Sequence, residues 1–157
     1  MDKFDDIEQG ENLDVPERPT RTKITKEMAE SEFQGWAEHL RLDTDEEDMD
    51  AEEKSDFIQI KKKFKYCLIR GITHVEENGD LVLNLISPIG GKSEIVFRRS
   101  FKGPAFVVMD RYKDSQHVHK TVAFLGAWVG VDPKQLLQMD AIDLWFCMKM
   151  VSLFFGA

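Results

Sequence analysis

The chain has 157 residues, 42% apolar and 32% charged, which suits one folded core with a solvated appendage and is too short for two ordinary domains. Its net charge of -8 is unevenly laid out: positions 1–56 hold 20 acidic and 7 basic residues, positions 57–157 hold 9 and 14. A polyanionic front half repels nucleic acid and anionic lipid, and no apolar run reaches the ~18 residues of a membrane span, so neither kind of partner is expected.

Residues 1–22 carry five acids before residue 12, then Pro16 and Pro19, with no apolar period; they read as a flexible acidic tail. Phe33, Trp36, Ala37 and Leu40 place one buried stripe on a helix over about 26–41. The acidic run 43–48 reads as a solvated loop in which Thr44 and Glu47 form a capping box. A second helix follows from about 45 or 52 to 70, carrying Phe57, Ile60, Phe64, Cys67 and Leu68, with Gly71 at its C-terminal cap.

Strands come next. Ile72–Glu77, the turn pair Asn78-Gly79 and the run Leu81–Ile86 form a hairpin with a tight turn. Pro88 and Gly90-Gly91 end that strand, and Ser93–Arg99 returns as a third. The remainder reads as helices over about 104–112, 115–129, 133–138 and 141–155, with Ser115, Asp132 and Asp140 as N-caps. The expected fold is α+β, a small antiparallel meander flanked by N-terminal helices and a C-terminal helical bundle. Its parts are a tail (1–22), a helical extension (23–71) and an α+β domain (72–157).

No constellation reads as catalytic, and neither a metal nor a cofactor is expected. Run 43–48 lacks the central glycine and alternating ligands of a calcium loop. Gly90-Gly91-Lys92-Ser93 lacks the leading glycine of a phosphate loop and lies between strands. The lysines Lys61, Lys62, Lys63 and Lys65 spread round their helix instead of forming a nucleic-acid stripe. His117 and His119 point about 200° apart on a helix, which spoils a shared metal. Ser115 and His117 do not face one another as nucleophile and base. Cys67 and Cys147, each among apolar neighbours, suit buried thiols in a reducing cytosol, and the first residues lack the parts of a signal peptide.

The last helix departs from an ordinary core element. Leu144, Met148, Val151 and Phe155 make one apolar stripe, and Ile142, Phe146, Met150 and Leu153 make another almost opposite, with Trp145 between them and Asp143, Lys149 and Ser152 as polar breaks. Two opposed apolar faces need two partners. The first stripe is expected to pack on the domain. Ile142, Trp145, Phe146, Met150 and Leu153 are the candidate protein-binding residues, facing a client or a sister subunit; the competing reading is that the helix lies centrally in the chain's own core.

From about Leu81 onward the chain resembles the tail assembly chaperones of long-tailed phages, small proteins that keep the tape-measure protein soluble while the tail tube forms around it. The resemblance rests on a strand followed by Ser87-Pro88 and a glycine pair, on Asp110 early in the helices, and on the run Phe124–Leu136 with Gly126, Trp128, Gly130, Asp132 and Pro133. It continues through Leu137–Leu144, then Val151 and Phe154-Phe155. About half the chain is covered, and the small members of that family have nothing like residues 1–70. The resemblance implies a protein without an active site, made in the infected host's cytoplasm, binding the tape-measure protein and absent from the finished virion. Some members of the family also have a frameshifted longer form. A structural tail or neck component, or an acidic inhibitor that mimics nucleic acid, are the readings that compete with it.

Overall fold

A computed structural model describes residues 23–100 and 102–155; the expected acidic tail lies outside them. Helix α1 (Lys26–His39) starts where Thr25 accepts the Met28 N–H, and buries Ala29, Phe33, Trp36 and Ala37. Helix α2 (Ala51–Ile69) packs beside it. Asp50 caps its start by accepting the Glu53 N–H. The Thr44–Glu47 capping box does not form. Instead Asp45 accepts the Glu47 N–H and opens a short 3-10 turn over Glu46–Asp48, and Thr44 Oγ1 accepts from Gln34 at 3.5 Å. The Asp45 carboxylate, bonding the backbone two residues on, closes the turn locally, and the helix starts only at the next capping acid, Asp50. Gly71, at φ 73°, ends α2 as expected, its N–H reaching the Leu68 carbonyl and that of Ile72 the Cys67 carbonyl.

The sheet is β1 (Thr73–Val75), β2 (Leu81–Ile89) and β3 (Lys92–Phe97), antiparallel and in the order of the sequence. Leu81 faces Phe97 and Leu83 faces Ile95, so alternate residues of both strands enter the core. Both turns join antiparallel strands, but the tight two-residue turn expected at Asn78-Gly79 does not form there. At Asn78-Gly79 only the glycine has positive φ; the Gly79 N–H closes on the Glu76 carbonyl and the Glu76 N–H pairs with the Asp80 carbonyl. This is a three-residue connection, with Asn78 Oδ1 holding the Asp80 N–H. The two-residue turn is at Gly90-Gly91, both at positive φ, between the paired Ile89 and Lys92. Strand β2 therefore does not stop at Pro88 but passes through it. Proline is tolerated because pairing with β3 is irregular between Asn84 and Ile89.

Helix α3 (Pro104–Val107) runs into a 3-10 turn over Val108–Arg111. Helix α4 (His117–Val129) follows, its Gln116 cap making no side-chain cap bond and Ser115 lying outside the helix. Gln116 Oε1 instead accepts the Lys113 N–H ahead of the helix. Eight residues of α4 between Thr121 and Val129 are buried, making it the helix that is covered on all sides. Helix α5 (Pro133–Leu136) is capped by Asp132, and α6 (Ala141–Phe155) begins where Asp140 accepts the Ile142 N–H. The fold is α+β, and one buried cluster joins Phe33, Trp36 and Phe64 of the first two helices to Phe124, Trp128 and Phe146 of the later ones. Residues 23–71 thus contribute to the same core as residues 72–157.

Trp128 ties the layers together. Its Nε1–H donates to the Arg98 carbonyl at 2.7 Å, and its ring stands edge-on to Phe97 and Phe154, each at 4.9 Å between centroids. The turn after α4 is equally tight, with the N–H groups of Gly130 and Val131 both on the Gly126 carbonyl. A Cβ on Gly126 would lie 2.7 Å from the Val131 carbonyl oxygen. Alanine would gain ~1 kcal/mol of helix propensity, but overpacking costs ~1–3 kcal/mol. Gly126→Ala is therefore expected to lower the midpoint of denaturant unfolding, against the propensity trend.

Candidate protein-binding groove

The setting of α6 determines what the protein presents to solvent. Its buried residues are Asp143, Phe146, Cys147, Met150 and Val151, a spacing of three, one, three and one that marks a single helix face. This corrects the expected division. Phe146 and Met150 belong to the core instead of an outward stripe, and Leu153 is partly buried against it. Of the five candidate residues only Ile142, 61% exposed, and Trp145, 51% exposed, lie open on the surface. On the opposite stripe Val151 is buried and Leu144 partly so.

The physical reason is Asp143. Strand β1 begins only at Thr73, paired with Leu83, and ahead of it the Ile72 carbonyl still takes the Asn84 N–H. Two residues further along β2, the Ile86 N–H has no strand to meet and donates to Asp143 Oδ2 at 2.8 Å. The carboxylate is 2% exposed and sits in the first turn of α6, where the helix end favours negative charge. A side chain that reads as a polar break is thus the centre of the buried face. Next to it, burial, and secondarily the charge of Asp143, push the Cys147 thiol well above its usual range, which suits an inert core residue.

With that face inward, the outer side of α6 becomes the wall of a groove. One compartment, of about 550 Å³, lies between Ile60 of α2, Met109 of the 3-10 turn, Thr121 of α4, and Trp145, Met148 and Val151 of α6. A second, of about 330 Å³, continues from it past Ile60 and Ser152 to Met49, Phe57 and Leu153. The lining combines large apolar side chains with the polar Gln59, Thr121 and Ser152, and the two ends differ in charge. His117, Lys120 and Lys149 line the first, whereas Asp43, Asp48, Glu53 and Asp56 line the second, Asp56 bordering both. Lys120 is occupied by Asp114 at 2.6 Å, and the Lys149 ammonium lies 5.6 Å from the centre of the Trp145 ring.

Sequence reasoning located α6 but missed the other walls. Ile60 was legible as a residue of an apolar stripe, and nothing in the periodicity marks it as lying where that stripe leaves the core. Met109, Lys120 and Thr121 carry no local signal, because a groove is formed by elements far apart in the chain. Among the described residues no group of three or more His, Cys, Asp or Glu is arranged to hold a metal ion, and no helix is long and apolar enough to cross a membrane. Compared with known protein families, curated proteins and solved structures, the chain matches none.

Two predictions follow from the setting of α6. Phe146→Ala is expected to cost about 3–5 kcal/mol of stability, as for other buried aromatics, while Trp145→Ala stays within about 1 kcal/mol; urea denaturation compares them. Asp143→Ala, which strands the Ile86 N–H, is expected to cost about 1–3 kcal/mol. Asp143→Asn keeps an acceptor in place and should cost clearly less in the same assay.

Proposed function

We propose that this protein is a binding protein of the phage tail assembly chaperone type, which holds an apolar segment of the tape-measure protein and keeps it soluble until the tail tube encloses it. The observation that carries the reading is the half-exposed Trp145 beside Ile142 on the outer face of α6, at the mouth of an apolar groove. Large aromatic side chains in such positions are the usual anchors of protein interfaces, and a groove between helices is the usual seat of an amphipathic client helix. The resemblance of residues 81–157 to that family supplies the identity of the client. The acidic front half adds a physical reason for solubility, since net charge keeps a complex with an aggregation-prone client dispersed.

Co-expression with the tape-measure protein of the same phage tests this. The wild-type chain is expected to bring the client into the soluble fraction and to co-purify with it. Trp145→Ala should leave the chain folded and reduce co-purification at least about tenfold, the loss of one interface anchor. Recovery of the chain from purified virions, with no effect of Trp145→Ala on client solubility, would favour a structural tail component instead.

A further inference from the structure

The charge of the groove restricts what can lie in it. Helix α2 holds both signs, and two of its lysines are drawn to α1. Lys61 and Lys65 both turn to Glu30 of α1, at 2.8 and 2.7 Å, and their hydrogen bonds hold the Glu30 carboxyl below its ordinary value. Glu53 and Asp56, from the first half of the same helix, line the groove with Asp48. Among the described residues none of these three carboxylates is in an ion pair. Two of the five lysines of α2 are thereby held at α1, while Lys54, between Glu53 and Asp56 in sequence, is in no ion pair among the described residues. At the far end the groove's own cations are partly satisfied, Lys120 by Asp114 and Lys149 by the Trp145 ring.

An apolar floor with free carboxylates along one end is matched by a helix whose apolar face is flanked by cations. We infer that the groove takes a basic amphipathic helix of its client, apolar residues at i, i+3, i+4 and i+7 on the floor and lysine or arginine against Asp48, Glu53 and Asp56. The inference rests on the protein-binding reading above and adds the chemistry of the bound segment. The chain's own residues 1–22 fit poorly, because they hold seven acids and three bases and would bring like charge to the acidic end.

The test uses the full chain and two synthetic peptides of roughly 18 residues, long enough for a helix, with one apolar face in common. One has a lysine-rich polar face and the other a glutamate-rich one. Titration calorimetry is expected to show the lysine peptide binding at least about tenfold more tightly at low salt, with the preference shrinking as salt screens it. Asp48→Asn combined with Glu53→Gln and Asp56→Asn should bring the two affinities together, and Trp145→Ala should weaken both peptides. The inference is overturned if the peptides bind equally, if the preference survives the triple substitution, or if neither binds. It is also overturned if a peptide of residues 1–22 displaces the lysine peptide, or if sedimentation shows a dimer that Trp145→Ala dissociates. Co-purification of the tape-measure protein without any preference between peptides would reject the charge rule and leave the chaperone reading standing; loss of both would reject the two together.

Discussion

The hydrogen bond from the Ile86 N–H to the buried carboxylate of Asp143 ties the last helix to the sheet. A backbone N–H in the interior must find an acceptor, and β1 is too short to offer one. Taking that acceptor from α6 sets the rotation of the helix about its axis, since every other side chain lies at a fixed angle from Asp143. Phe146, Cys147, Met150 and Val151 then follow it into the core. Ile142 and Trp145 have no choice but to face outward. The groove is in this sense a consequence of a sheet that stops early.

The interior that α6 covers is organised by α4. That helix is apolar on every side between Thr121 and Val129, so it needs a layer on each flank, and the layers are β3, α6 and the turn Val108–Arg111 that runs across it. Trp128 is where these meet, its ring against Phe97 and Phe154 and its N–H on the Arg98 carbonyl. Anchoring a large ring by its one polar atom removes the freedom that bulk hydrophobic packing would leave. The sheet and the last helix thus take their places from one residue of the helix between them.

The elements themselves were legible because their signals are local. Stripes on α1 and α2, the glycine that ends α2, the three strands and the caps Asp132 and Asp140 all depend on neighbours a few residues away. The failures are equally instructive. Asn78-Gly79 and Gly90-Gly91 both permit a two-residue turn, and which one uses it is decided by strand register, with Ile89 opposite Lys92 and Val75 opposite Leu81. Thr44 lost its capping role to Asp45, because neighbouring side chains compete for the same few N–H groups, whereas Ser115 lies outside a helix whose start has no side-chain cap. The faces of α6 were misassigned for a different reason. A hydrophobic period treats aspartate as solvent-facing, and the partner that makes Asp143 an interior residue lies 57 positions away.

The proposed binding surface was the least legible part, since its walls come from four segments of the chain, and its character depends on which charges are already satisfied. Counting along the sequence, α2 looks like a helix with acids at its start and lysines at its end, which is only what a helix dipole favours. In the folded chain Glu30 withdraws two of those lysines from the surface field. What remains at the groove is the acidic start of α2 beside an apolar floor. A net charge of -8 would by itself attract any cationic protein, without geometry. Under the proposed binding, carboxylates at one end of the groove would favour a helix that carries its cations at that end, because laid in backwards it would place them near Lys120 and Lys149 and leave Asp48, Glu53 and Asp56 unmatched. Selectivity then comes from the penalty on the wrong orientation as much as from attraction to the right one.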